Sequence, residues 1–307
     1  MCAYGNIQLI FLSFGEVQKS SVKFEEILQM KLFTISLVFA LFSLTSIAQK
    51  IVEQNKKGAF YFYWGWNRGA YTNTDIHFQG TNYDFTLRDV AATDRQSKFD
   101  PNIYFNPKNL TIPQYNLRLG YFIKDNYSLS FGADHMKYVM VSGQSSVIDG
   151  YISNSGTPYD GIYSDQPFVI AKDFLLFEHT DGLNYLNFEL RRHDELLKPT
   201  SWFSVQLNEG FGAGALMPRT NTTLLNNPRY DEFHLAGYGA GVVGSVCLTF
   251  FNYFFIQSEW KGGYINMPDI RTTMHKSDRA DESFFFSQYN ILFGANFNLA
   301  KKEKPTE

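Results

Sequence analysis

Between Tyr115 and Met136 the chain reads YNLRLGYFIKDNYSLSFGADHM. Two runs with an apolar or aromatic side chain at every second position flank the turn Lys124-Asp125-Asn126. Alternation of period two marks a β-strand with one apolar face. The pattern recurs in Ala59–Asn67, Gln114–Ile123, Tyr127–Tyr138, Leu183–Arg192, Trp202–Ala213, Leu235–Thr249, Tyr253–Ile265 and Phe285–Phe297, eight segments in all. Helical periodicity is scarce after Gln49. Each segment supplies the roughly 9–11 residues that cross a bilayer as a tilted strand.

The connections alternate too. Lys124-Asp125-Asn126, the stretch around Lys198-Pro199-Thr200, and Phe251-Asn252 are short; those over about 68–113, 139–182, 214–234 and 266–284 are long. Short turns alternating with long loops are the mark of an outer-membrane barrel. An eight-stranded antiparallel up-and-down transmembrane β-barrel over 58–298 is therefore expected, with both termini on the short-turn side. The stretch 75–90 (DIHFQGTNYDFTLRDV) alternates as well. It predicts either a hairpin above the membrane or two further strands, making ten. The stretch 167–182 poses the same choice.

The two faces differ in kind. Leu117, Leu119, Phe131, Leu186, Phe188, Leu190, Ile256 and Ile291 fall on one face. The opposite face carries Arg118, Asp134, Glu189, Arg191, Glu259 and Lys261, padded by Gly, Ser, Asn and Gln. These six charges balance. The interior of an eight-stranded barrel is just wide enough for side chains to fill it, and buried charges persist when paired. The six are the candidate interior network. Trp64, Trp66, Tyr71, Trp202, Trp260 and Tyr264 lie near segment ends and are the candidate interfacial girdle.

Composition narrows the classes. Net charge is −3, which gives no bulk basic field for nucleic acid. Mean hydropathy is −0.24, which excludes a multi-helix membrane protein. With Cys2 expected outside the mature chain, Cys247 stands alone, and a structural disulfide is not expected. Lys31, the apolar run Leu32–Leu44 and the small residues Ser46 and Ala48 form a signal-peptide pattern. Residues 30–48 are read as that signal, 1–29 as an upstream non-native extension, 49–57 as a linker and 299–307 as a charged tail.

These features resemble the small outer-membrane β-barrels of Gram-negative bacteria, the OmpA/OmpX type and the generic outer membrane protein beta-barrel group. The resemblance covers roughly 58–298 and rests on architecture, with no sharp motif. It implies an outer-membrane monomer. Its partners would be outer-membrane lipid and lipopolysaccharide, the barrel assembly machinery and an extracellular ligand. Phe297 stands where such barrels carry a terminal aromatic, although a tail follows it.

Candidate chemistry is thin. Asp134-His135 and His193-Asp194 are neighbours on strands, so their side chains diverge. The outward His135, Glu209 and Ser258 sit on alternate strands, about 10 Å apart, too wide for a triad. A bulge at Asn208–Gly210 would turn Glu209 inward. Asp149, Asp160, Asp165, Asp173 and Asp181 lack calcium-loop spacing. Asn109-Leu110-Thr111 and Asn221-Thr222-Thr223 match a glycosylation acceptor, which means little in a bacterial outer-membrane protein. The stretch 237–244 (GYGAGVVG) leads into no helix and is no dinucleotide loop. The expected function is non-catalytic, structural or surface-binding, with no cofactor. The alternatives are a small solute pore or transporter, a lipid A-modifying enzyme, and a secreted soluble β-barrel.

Overall fold

The computed structural model describes residues 57–109 and 112–298. The expected extension 1–29, signal 30–48, tail 299–307 and all of the linker but Lys57 lie outside these residues. In chain order the strands are β1 (Ala59–Tyr71), β2 (Thr74–Gln79), β3 (Tyr83–Val90), β4 (Ala92–Thr93), β5 (Tyr115–Lys124), β6 (Tyr127–Met140), β7 (Ser145–Ile152) and β8 (Gly161–Val169). They continue with β9 (Leu175–Thr200), β10 (Phe203–Leu216), β11 (Arg219–Leu224), β12 (Tyr230–Phe233), β13 (Gly237–Phe250), β14 (Phe254–Arg271) and β15 (Arg279–Asn298).

Eight of these close a ring in the order β1-β5-β6-β9-β10-β13-β14-β15, and β15 returns to β1. Every pairing is antiparallel, and each ring strand follows its neighbour in sequence. The seam runs from Ala59 opposite Asn298 to Tyr71 opposite Phe286. A walk across the register leaves β1 at Tyr71. It passes Phe286, Gly263, Gly241, Gly212, Glu189, Ser130 and Gly120 and regains β1 at Tyr61, ten residues lower. That stagger over eight strands corresponds to a tilt of about 40°. The ring is the eight-stranded transmembrane barrel, not the ten-stranded one.

Its faces are inverted relative to a water-soluble protein. Leu119 (50% exposed), Phe188 (58%) and Phe211 (62%) stand outward on three different walls, with Leu117 and Phe131 beside them. Arg118, Glu189, Arg191, Glu259 and Lys261 are buried inside. A continuous apolar belt of this extent is foreign to a soluble monomer, so the secreted soluble alternative fails on the side-chain placement. Glycine makes room for the inner charges. A Cβ at Gly132 would stand 2.8 Å from the Arg118 guanidinium, and one at Gly212 would stand 2.5 Å from Glu189 Cγ.

Above the membrane the inner face changes. On β15 the inward positions are polar at Gln288 and Asn290 but apolar at Phe286, Phe284 and Ala280, with the buried Glu282 the one polar residue among them. The ring strands outrun the bilayer, and the long connections fold onto them. The β2–β3 hairpin attaches to β15 through Gln79 opposite Arg279, then passes the sheet to β7 and β8. On the other side β11 pairs with both β9 and β12. Ile76, Phe78, Phe85, Met136, Phe177 and Ile265 join one apolar core beneath them. The expected loops are thus largely sheet: 75–90 is a hairpin outside the ring, and 175–182 prolongs β9.

Three finer expectations are corrected. Lys198-Pro199-Thr200 belongs to β9, and the turn falls at Ser201-Trp202. No bulge occurs at Asn208–Gly210; β10 keeps unbroken register with β13 from Phe203 to Leu216, so Glu209 stays outward. Tyr71 is no girdle residue: its parity points it inward, against Tyr138 (5.1 Å between ring centres) and Phe284 (5.6 Å).

The belt yields a depth-dependent test. Phe211→Arg, near mid-height on the outward wall, should destabilise the refolded barrel by about 2–4 kcal/mol in lipid, against about 0–1 kcal/mol for Leu196→Arg at the short-turn rim. Urea titration of vesicle-inserted protein measures both, and equal costs would deny the belt its lipid.

Candidate functional site

Each charged residue predicted for the barrel interior is at least 97% buried, and together they form one connected cluster. β5 carries Arg118, β6 Asp134, β9 Glu189 and Arg191, and β14 Glu259 and Lys261. Glu189 is the hub. It takes Arg118 Nη2 at 2.8 Å and Lys261 Nζ at 2.7 Å on one oxygen, and Arg191 Nε at 2.7 Å on the other. Lys261 also reaches Asp134 at 2.6 Å, and Arg191 reaches Glu259 at 2.7 Å and the Tyr63 hydroxyl at 2.9 Å. Neutral amides fill the remaining valences. Asn116 and Asn187 donate to Asp134, while Gln257 and Asn290 donate to Glu259.

Three cations and three anions cancel, which is what lets all six stay charged away from water. Below them Tyr61, Tyr63, Phe122, Phe255 and Leu292 fill the short-turn end. Above them the apolar core begins at Met136 and Tyr185. Between Glu189, Lys261 and Gly212 the wall leaves a cavity of about 10 Å³. That is barely one water's worth.

The aromatic candidates divide by height. Trp202, at the β9–β10 turn, stacks with Phe251 at 5.8 Å on the short-turn rim. Tyr264 packs at a tilt on Phe285, 5.2 Å between ring centres, towards the outer rim. Trp64, Trp66 and Trp260 face outward from within the wall, and Trp260 donates its indole N–H to Ser287 Oγ at 2.9 Å.

The outward His135, Glu209 and Ser258 are not brought together. His135 lies flat on Tyr115 at 4.9 Å and bonds Asn184 at 2.8 Å, while Ser258 bonds the Tyr289 hydroxyl at 2.9 Å. The loop acids disperse into local bonds, Asp165 with Arg88 at 3.0 Å and Asp181 with Arg219 at 3.4 Å. Among the described residues no cluster of His, Cys, Asp or Glu side chains is placed to hold a metal. Thr222 of the second glycosylation match is fully buried.

Two features escaped the sequence reading. The first is His179, buried in the outer domain. It bonds Thr220 Oγ1 at 2.9 Å and Glu282 Oε1 at 3.2 Å, and Tyr138 donates to the other Glu282 oxygen at 2.8 Å. This polar pin ties β6, β9, β11 and β15 together. Its hydroxyl, imidazole and carboxylate follow the order of a hydrolytic triad, but apolar core surrounds them and gives a substrate no approach. Its only signal in the sequence is a histidine in phase with Leu175 and Phe177. The second is an apical cleft of about 330 Å³, where four turns meet: Asn82, Asn154, Asn226, Asn227, His275 and Asp278 line it. It is invisible in sequence because it joins turns up to some two hundred residues apart.

No family model matches the chain, and no curated protein does. Solved structures do match. One is the outer membrane protein AlkL, determined by solid-state NMR in lipid bilayers, at 9% identity and a TM-score of 0.37, covering 84% of this chain and 98% of that one. Another is the outer membrane protein OprG of Pseudomonas aeruginosa, at 12% identity and 0.34, covering 81% and 100%. A third is Ail, the attachment invasion locus protein of Yersinia pestis, solved with the heparin analogue sucrose octasulfate, at 8% identity and 0.29, covering 78% and 99%. The chain is similar to small outer-membrane β-barrel proteins.

Glu189→Ala removes one anion from beneath three cations. It should cost about 3–5 kcal/mol, as breaking a buried pair does, read from the urea midpoint in vesicles; a cost below 1 kcal/mol would show the network is not dry.

On the outer sheet His77 bridges Asp84 and Asp281, at 2.9 Å each. Burial lowers its pKa, the two carboxylate bonds raise it, and the net shift is upward. The bridge is therefore at full strength below the unfolded value of about 6.5 and fades as pH rises through the higher folded value. NMR titration should place His77 above 6.5 and Asp281→Asn should bring it down; an unshifted midpoint would mean the bridge does not form.

Proposed function

We propose that this protein is a non-conducting, non-catalytic barrel of the Gram-negative outer membrane whose folded outer domain serves surface recognition. The observation that carries the reading is the filling of the barrel on three levels. Aromatic side chains close the short-turn end, the charge network occupies the middle, and an apolar core seals the outer end. A pore needs a continuous wet path, and an enzyme needs its reactive groups at a cavity. Among the described residues the cavity beside Glu189 and Lys261 has room for about one water, and the His179 cluster is sealed in core.

The outer domain supports the recognition half. Hydrogen bonds between turns shape its cleft. Ser153 N donates to Asn82 O at 2.8 Å, and Asn226 Nδ2 donates to Gly156 O at 3.2 Å. Amides outnumber charges around it, so a neutral, hydrogen-bonding ligand suits it better than an ion. The signal-peptide pattern and the apolar belt support the compartment. The belt meets outer-membrane lipid and lipopolysaccharide, and insertion falls to the barrel assembly machinery.

Pure protein in a planar bilayer should give no steady single-channel current. On intact cells an impermeant maleimide should label Asn226→Cys at the cleft but not Asp125→Cys at a short turn. Steady currents would replace this reading with a pore, and labelling of Asp125→Cys alone would invert the topology.

A further inference from the structure

The segment between β4 and β5 does not rise with the other long connections. It lies against the outside of the barrel wall. Its rings cover Trp66, with Tyr104 at 5.5 Å and Phe105 at 5.6 Å between ring centres. Trp66 faces outward from β1, in register with Tyr115 and Ile291. It stands six residues above Phe60 on the same strand. At a tilt of about 40° those residues climb roughly 15 Å, within an apolar band about 25 Å tall. What covers Trp66 therefore sits at the level of the outer leaflet.

Two observations on the segment itself agree with that height. Phe99 is 72% exposed and Phe105 63%. Phe99 packs on Tyr104 at 5.5 Å and Phe105 on Trp66, yet most of each ring stays uncovered by the chain. The segment also pairs its own polar groups. Asp100 caps the helical turn Pro101–Tyr104 through Asn102 N at 2.8 Å, and its carbonyl takes Ile103 N and Tyr104 N at 2.9 Å each. Asn106 bonds Asn102 at 3.1 Å and Lys108 N at 3.0 Å, Asn109 bonds Asn102 O at 3.0 Å, and Tyr104 bonds Ser97 O at 2.8 Å. Backbone at the edge of hydrocarbon must be paired in this way, whereas a loop in water need not be.

We propose that residues 94–109 are an interfacial foot, seated in lipid of the outer leaflet through Phe99 and Phe105. Lys98 and Lys108, both exposed, flank the two rings in sequence and would reach lipid phosphates from such a seat. The occupant is lipid because the foot continues the belt: Trp66, which it covers, also packs on Phe293 at 5.7 Å. The foot fixes the barrel's depth and its rotation relative to the membrane surface. This inference rests on the barrel spanning a bilayer, and its test separates the two claims.

The full chain, with Cys2→Ser and Cys247→Ser, is given one cysteine at Phe105, Lys108, Leu119 or Ile162, labelled with an environment-sensitive dye and inserted into phosphatidylcholine vesicles. Insertion of each variant is checked by its heat-sensitive gel mobility. Quenching is then read with lipids spin-labelled in the headgroup or acyl chain, and with aqueous iodide. The dye at Phe105 should be quenched several-fold more by shallow acyl labels than the dye at Ile162, a fully exposed outer-domain site, and shielded from iodide. The dye at Lys108, which leaves both rings in place, should respond to headgroup labels, and Phe99→Asn with Phe105→Asn should abolish that response. Iodide quenching of both foot sites at the level of Ile162 would overturn the proposal. So would shielding from iodide and lipid alike, which would mean a protein contact. Failure of lipid to quench the dye at Leu119 would overturn the spanning reading itself.

Discussion

The structure depends on the seam between β1 and β15. A sheet in hydrocarbon has no water to satisfy an open edge, and each unpaired backbone group there costs several kcal/mol. Pairing the first ring strand with the last removes both edges at once. Closure then sets the rest. Eight strands with a stagger of ten leave an interior that side chains alone can fill, and period two sends every second residue into it. What enters must be small, or charged and paired; what faces outward must be apolar.

Closure also explains the change in chemistry along a single strand. In the membrane the outside is hydrocarbon, so polarity goes inward, and the Glu189-centred cluster absorbs six charges at no net charge. Above the membrane the outside is water, and the same inward face turns apolar. β15 passes from Gln288 and Asn290 to Phe284 and Phe286 without losing its alternation. The outer domain is an ordinary soluble core built on strands that have left the bilayer. Its sheet continues from the barrel, so the apical cleft sits on paired strands rather than on loose loops. The His179–Glu282 pin holds that domain from within.

The ring was legible because its signal is local. Alternation over ten residues names a strand and its faces, and in Leu186, Phe188 and Leu190 against Asn187, Glu189 and Arg191 the two faces could not be confused. The six interior charges followed from parity alone. The upper storey was less legible because apolar and polar positions exchange faces at the membrane boundary. A strand read as one pattern stops there, so β9 was expected to begin at Leu183 although it begins at Leu175. Tyr71 was misplaced for the same reason: it stands beyond the boundary, where an aromatic ring belongs inside. The cleft and the His179 cluster come from turns and strands far apart in sequence, and no spacing rule joins them. Trp66 announced an outward aromatic, but nothing local said that Phe105 would cover it.

The central claim is that hydrocarbon is what the outward belt touches. Proton NMR of the barrel in lipid, with contacts measured between acyl-chain methylenes and side-chain methyls or rings, tests it directly. Acyl contacts are expected to Leu117, Leu119, Phe131, Phe188 and Ile291, and none to the inward Met136, Tyr185 or Leu292. Water contacts along the belt in place of acyl contacts, or lipid contacts to the inward set, would contradict it.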